Sequence, residues 1–120
     1  MFVKVKISGN LAVGTVVSYD DINNYWTTAS DESQLIGVIS KQPIENTEDQ
    51  TWRAQVVFSG LANALSDRDI PDQGGKFKVL NGKVYVDNSG NSSAGIIGPK
   101  PETLSSRTQG DLVMVDIRQN

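Results

Sequence analysis

The chain has 120 residues, of which 38% are hydrophobic and 21% charged, and its formal net charge is −3. It contains no cysteine and no histidine, which excludes disulfides, thiolate metal sites and the histidine acid–base chemistry of many enzymes. No apolar run approaches the roughly 20 residues that cross a bilayer, and no block of basic residues suggests binding to a phosphate backbone. We therefore expect a single non-enzymatic domain over residues 1–120, without a cofactor and without membrane or nucleic acid as a partner.

Alternation of apolar and polar residues runs through the first half of the chain and predicts half-buried strands. In residues 2–7 three apolar side chains fall on one face and two lysines on the other. Residues 35–39 are apolar enough for a strand buried on both faces, whereas the mostly polar residues 41–50 indicate an exposed connection. The remaining strands predicted in this half cover residues 15–19, 25–29 and 52–58.

The second half continues the same pattern. Residues 61–65 could begin a short helix, but a strand followed by a loop fits them better. Asn81-Gly82 separates two alternating runs and is a strong hairpin signal, because both residue types tolerate positive φ. The strands predicted in this half, besides 61–65, cover residues 76–80, 83–87, 94–98 and 112–117.

The order of these features in the first half returns in the second at an offset of about 58 residues. We interpret this as an internal pseudo-repeat of residues 11–60 and 72–117, the alternative being a chance likeness between two ordinary β-meanders. Two such units could pack their apolar faces together and so protect their edges. The predicted fold is all-β, a small β-sandwich or partly closed β-barrel built from about two similar antiparallel units.

The acidic pairs of the chain do not indicate a metal or catalytic site. Asp20-Asp21 and Asp31-Glu32 lie at predicted strand ends, and their spacing fits no calcium-binding loop. The glycines are scattered instead of forming a phosphate-binding loop. We expect turns at these positions, and no catalytic, cofactor or metal-binding residues.

Several large side chains lie near strand ends or beside polar loops, where they could take part in an interface. The alternative is that they cover the core, because a small domain with few aromatic residues usually buries them. The apolar face of the first strand is a further candidate surface. The candidate interface residues are Phe2, Val3, Val5, Tyr25, Trp26 and Trp52.

Four segments resemble the decoration, or cement, proteins of tailed-bacteriophage capsids, a family of small β-rich head proteins. The segments are GTVVS at 14–18, LIGVIS at 35–40, AQVVFSG at 54–60 and GDLVMV at 110–115. The resemblance implies a structural virion protein made in the host cytoplasm, which binds the major capsid protein on the outer surface of the shell and stabilises it. It also implies a homo-oligomer, commonly a trimer.

The resemblance leaves the contact region and two alternative functions open. The chain has no long arm before its first strand, so residues 2–7 or the loops would have to contact the capsid. Some segments also resemble small β-domains of phage tail fibres and spikes, but the chain lacks coiled-coil heptads. The other alternative is a carbohydrate-binding β-sandwich with Tyr25 and Trp26 as the sugar platform.

Overall fold

The computed structural model describes residues 2–119, which form eleven strands and no helix. The all-β prediction is confirmed, and these residues accordingly contain no helix that could span a membrane. The strands are β1 (Phe2–Ile7), β2 (Val16–Asp20), β3 (Tyr25–Thr28), β4 (Ile36–Ile39), β5 (Ile44–Asn46), β6 (Thr51–Val57), β7 (Gly60–Leu65), β8 (Gly75–Leu80), β9 (Lys83–Val86), β10 (Gly95–Ile97) and β11 (Leu112–Ile117).

Ten of these strands lie where the sequence predicts a strand, and β5 is the exception. The prediction of an exposed connection over residues 41–50 is wrong in this respect, because β5 pairs antiparallel with the beginning of β6. Along one edge of the long strand β6, the end of the strand pairs with β4 and its beginning pairs with β5. Between these two pairings the Ser40 amide donates to the Gln55 carbonyl at 2.9 Å. The polar sequence of β5 hides this pairing, since its side chains are exposed.

The first sheet closes into a five-stranded barrel. Its strands run in the order β1-β3-β2-β4-β6, and β6 pairs again with β1 over the whole length of β1. Alternate side chains point into the barrel, so apolar residues spaced two apart fill it. The buried residues of this barrel core are Ile7, Val17, Ile39, Ala54 and Val56.

The second sheet has the strand order β7-β11-β10-β8-β9. A bridge between Ser66 and Val84 places β9 beside β7, and in the direction β7-β9-β8-β10-β11 the strands correspond one by one to β1-β3-β2-β4-β6 of the barrel. A single parallel contact occurs at the same place in both sheets, Ile7 with Trp26 in the barrel and Ser66 with Val84 in the second sheet. The two contacts are separated by 59 residues on one side (66 − 7) and 58 on the other (84 − 26). A tandem duplication would produce this correspondence, and its units would begin one strand earlier than the sequence pattern indicates. The duplication itself stays a prediction.

A second core joins the barrel to the second sheet. It contains the largest fully buried side chain, Phe77, together with outward-facing residues of the barrel wall such as Val16 and Val38. All four residues of β4 are buried, as predicted for a strand covered on both faces, whereas Leu35, which the prediction included, is 57% exposed. Each fully buried large apolar side chain contributes about 1.5–3 kcal/mol, so this shared core holds the two halves together.

The Asn81-Gly82 turn between β8 and β9 forms as predicted and also contacts the barrel. The two residues have φ values of 48° and 81°, as a tight hairpin turn requires. The Gly82 amide donates to the Ala29 carbonyl at 2.7 Å, and the Gly82 carbonyl accepts from the Val16 amide at 2.8 Å. A β-carbon at Gly82 would lie 2.7 Å from the Thr28 methyl group, so this close backbone approach requires glycine.

The turn after β9 surrounds the Asp87 carboxylate with hydrogen-bond donors. The Asp87 carboxylate accepts hydrogen bonds from the Ser89 hydroxyl at 2.5 Å, the Ser89 amide at 2.9 Å and the Lys78 ammonium at 3.3 Å. These donors favour the ionised form and lower the pKa of Asp87 from 3.8 to about 2. Because the pKa is lower in the folded state, the stabilisation is present above the unfolded pKa and is lost as the pH falls toward 2.

We expect Ser89→Ala to raise the pKa of Asp87 toward 3.8, since it removes the hydroxyl that contributes most to the shift. The measurement is an NMR titration of the Asp87 carboxyl carbon. Ser89→Thr keeps the hydroxyl and serves as the control, with a pKa near that of the unmodified protein. An unchanged pKa in Ser89→Ala would contradict this explanation of the shift.

Candidate binding surfaces

The candidate residues on β1 become more exposed toward the beginning of the strand. Ile7 is buried, Val5 is half-buried against the barrel core, Val3 is 44% exposed and Phe2 is 62% exposed. The strand therefore runs outward from the barrel. Phe2 and Val3 are the two predicted interface residues that present substantial apolar surface.

The predicted aromatic candidates lie mainly against the barrel. Trp26 and Trp52 are half-buried and pack on the barrel core, and the Trp26 ring lies 4.8 Å from that of Phe58 and 5.5 Å from that of Tyr19. Tyr25 is also half-buried. Both tryptophans pair with Ile7, at the opposite end of β1 from Phe2. Five of the six candidates thus lie in two groups near opposite ends of β1, where Phe2 and Ile7 are about 16 Å apart, and Val5 lies between the two groups.

One edge of β1 is largely unpaired. Along one side the strand pairs with β6 at every residue, whereas on the other side its pairing with β3, within residues 2–119, is confined to Ile7. We call the unpaired side of Phe2–Lys6 the free edge. Such an edge presents backbone donors and acceptors to which another extended chain can add.

The outer face of the second sheet carries an apolar groove of about 700 Å³. Register explains the cluster, because Leu61 and Ile96 flank Asp116 on the neighbouring strands while Met114 and Leu112 occupy the outward positions of β11. The sequence prediction missed these residues. We call this surface the outer groove, and its exposed apolar residues are Leu61 (66%), Ile96 (39%), Leu104 (43%), Leu112 (53%) and Met114 (56%).

A buried arginine fixes the loop that forms one wall of the outer groove. Arg107 is 6% exposed, and its guanidinium donates to the carbonyl of Gly98 at 3.0 Å and to that of Pro71 at 2.7 Å. Its backbone carbonyl also accepts from the Ile70 amide at 2.9 Å. The planar guanidinium can reach several carbonyls at once, so it fastens the irregular segment between β10 and β11 to the loop before β8.

A third surface is cationic. Lys4, Lys6, Lys41 and Arg53 are all the basic residues of the first 59 positions, and we call them the basic face. Lys6 lies directly opposite Arg53 across the β1–β6 pair, and three of the four side chains line a groove of about 450 Å³ that also contains Ile44. The ion pairs of the described residues involve other cations, namely those of Arg68, Lys78 and Arg118.

The three surfaces supply apolar contacts, cationic groups and free backbone hydrogen-bonding groups, which are the means by which one protein surface recognises another. Residues 2–119 contain no cluster of acidic side chains arranged to hold a metal ion. Comparison of the chain with protein-family models, with curated proteins and with solved structures gives no match. A functional proposal must therefore be based on the chain's own surfaces.

Proposed function

We propose that this protein is a non-catalytic structural protein that decorates the outer surface of a tailed-phage capsid and stabilises the shell. Its partner is the major capsid protein, and its working assembly is a trimer. The observation that carries the proposal is the outer groove, where five exposed apolar side chains gather on one face of a sheet. Exposed apolar clusters of this kind mark surfaces that contact other proteins.

The rigid scaffold suits an adhesive role. The groove residues lie on paired strands and on a loop that is fastened by Arg107, so little ordering is required when a partner binds. A trimer would present three copies of the same surface to a symmetric shell. Modest contacts repeated in this way give high avidity without any chemical step. The resemblance of four segments to decoration proteins supports the same function.

The central test is Met114→Lys. Met114 is 56% exposed, so the substitution leaves the fold intact but places a charge in the middle of the proposed contact. Burying an unpaired charge in an interface is costly, and we expect binding to fall by about tenfold or more. The measurement is co-sedimentation with empty heads from a panel of tailed phages, and mass measurement in solution tests whether the protein forms the expected trimer.

Ile22→Lys is the matched control. Ile22 is 86% exposed in the turn between β2 and β3 and does not line the outer groove, so the same change from apolar to charged should leave binding unaltered. Equal binding of Met114→Lys and the unmodified protein would rule out the groove as the contact. A protein that sediments with none of the heads and instead binds a glycan array would contradict the decoration function.

A further inference from the structure

The free edge of β1 and the basic face belong to the same strand. Lys4 and Lys6 point to the outside of the barrel, and Val3 and Val5 point to the opposite face of the strand. A strand added along this edge would place alternate side chains beside the two lysines. Its remaining side chains would lie beside the two valines, of which Val3 is 44% exposed.

The basic face forms no close ion pair with the described residues, and the acidic neighbour Asp49 acts only on Arg53. Lys6 is directly opposite Arg53, and like charges in this position destabilise a sheet. The whole chain has 11 basic and 14 acidic residues, so without these four cations the remainder carries 7 − 14 = −7. The cations of the first half are therefore concentrated on one surface of an otherwise acidic protein. An anionic partner would relieve the repulsion.

We propose that the free edge of β1 binds an extended segment of a partner protein in which acidic and apolar residues alternate. Lys4 and Lys6 are separated by about 6.6 Å along the strand, which equals the spacing of every second side chain in the added strand. Backbone hydrogen bonds would provide the attachment, and the lysines would select acidic side chains at the outward positions. This inference rests on the proposed function, in which the capsid protein supplies the segment.

Lysines on an open edge also have a purely protective role, because they discourage two copies of a sheet from pairing. That role explains Lys4 and Lys6 but not Arg53 and Lys41, which lie away from the edge. Ile44 adds 68% exposed apolar surface among the cations and three amide side chains line the same groove. A mixture of cations, amides and an aliphatic side chain favours a protein segment over a nucleic acid as the occupant.

The test uses a capped peptide of about eight residues in which glutamate and valine alternate, titrated into the ¹⁵N-labelled 120-residue protein. We expect the largest amide shifts in Phe2–Lys6 and weaker binding as salt is raised. The double variant Lys4→Glu/Lys6→Glu should bind the peptide about tenfold or more weakly. The matched control is Lys76→Glu/Lys83→Glu, which makes the same charge change on exposed lysines of the second sheet and should bind normally.

The inference would be overturned by no binding of the acidic peptide, by equal binding of a peptide in which lysine replaces glutamate, or by shifts confined to residues outside β1. Equal affinity for a single-stranded oligonucleotide would also overturn it, since the site would then be a general polyanion surface. Because the peptide assay involves no phage heads, its outcome is independent of the co-sedimentation test of the outer groove.

Discussion

Replacing Phe77 by alanine is expected to lower the free energy of unfolding by about 3–5 kcal/mol. Phe77 is fully buried and is the largest side chain in the core shared by the barrel and the second sheet. Its removal leaves a cavity that the paired strands around it cannot fill. Because small domains are stable by only about 5–15 kcal/mol in total, the loss is a large part of the whole.

The measurement is urea denaturation at equilibrium. The dependence of the unfolding free energy on urea concentration should be the same in the variants and in the unmodified protein. Phe2→Ala is the matched control, since the same side chain is removed from a site that is 62% exposed. We expect the control to change stability by less than about 0.5 kcal/mol. Similar losses in the two variants would show that Phe77 does not have the central packing role described above.

Gly95→Ala should lower the free energy of unfolding by about 2–4 kcal/mol, which is the second largest loss of stability that we expect. Gly95 has φ 151°, and a β-carbon there would lie 2.8 Å from the Phe77 ring and would also collide with the Asp116 carbonyl oxygen. The carbonyl belongs to the neighbouring strand β11, so it cannot move without disturbing the sheet. The substitution therefore combines backbone strain with overpacking of the shared core.

Gly98→Ala provides the control, because a β-carbon at Gly98 has nothing within 4 Å. Thermal denaturation of both variants should show a clearly lower melting temperature for Gly95→Ala and little change for Gly98→Ala. If Gly95→Ala were as stable as the unmodified protein, β10 and β11 would have to be farther apart at Gly95 than described.

Much of the fold could be predicted from the sequence because alternation and turn chemistry are local properties. Val3, Val5 and Ile7 fall on one face of β1 as their spacing indicates, and Asn81-Gly82 alone identifies its hairpin. Barrel closure could not be predicted in this way. It depends on the pairing of β1 with β6, strands separated by more than 40 residues, and on parallel contacts that leave no local pattern.

The candidate surfaces were harder to predict than the strands. Their size and their position beside loops predict an interface role for Trp26 and Trp52, but register brings both side chains against Ile7 and the barrel core. The outer groove combines residues from three strands and a loop, which only the order of the second sheet brings together. One clue was present in the sequence: Leu112 and Met114 are apolar on the side of β11 that alternation assigns to solvent.

The backbone contacts of the Asn81-Gly82 turn affect the order in which the two halves of the protein fold during synthesis. When the first half leaves the ribosome, the Val16 amide and the Ala29 carbonyl still lack the partner that Gly82 later provides. Val16 and Val38 are also without the apolar cover of the second sheet. The half made first is therefore completed only by the half made later, so the final folding step has to wait until the second half has emerged from the ribosome.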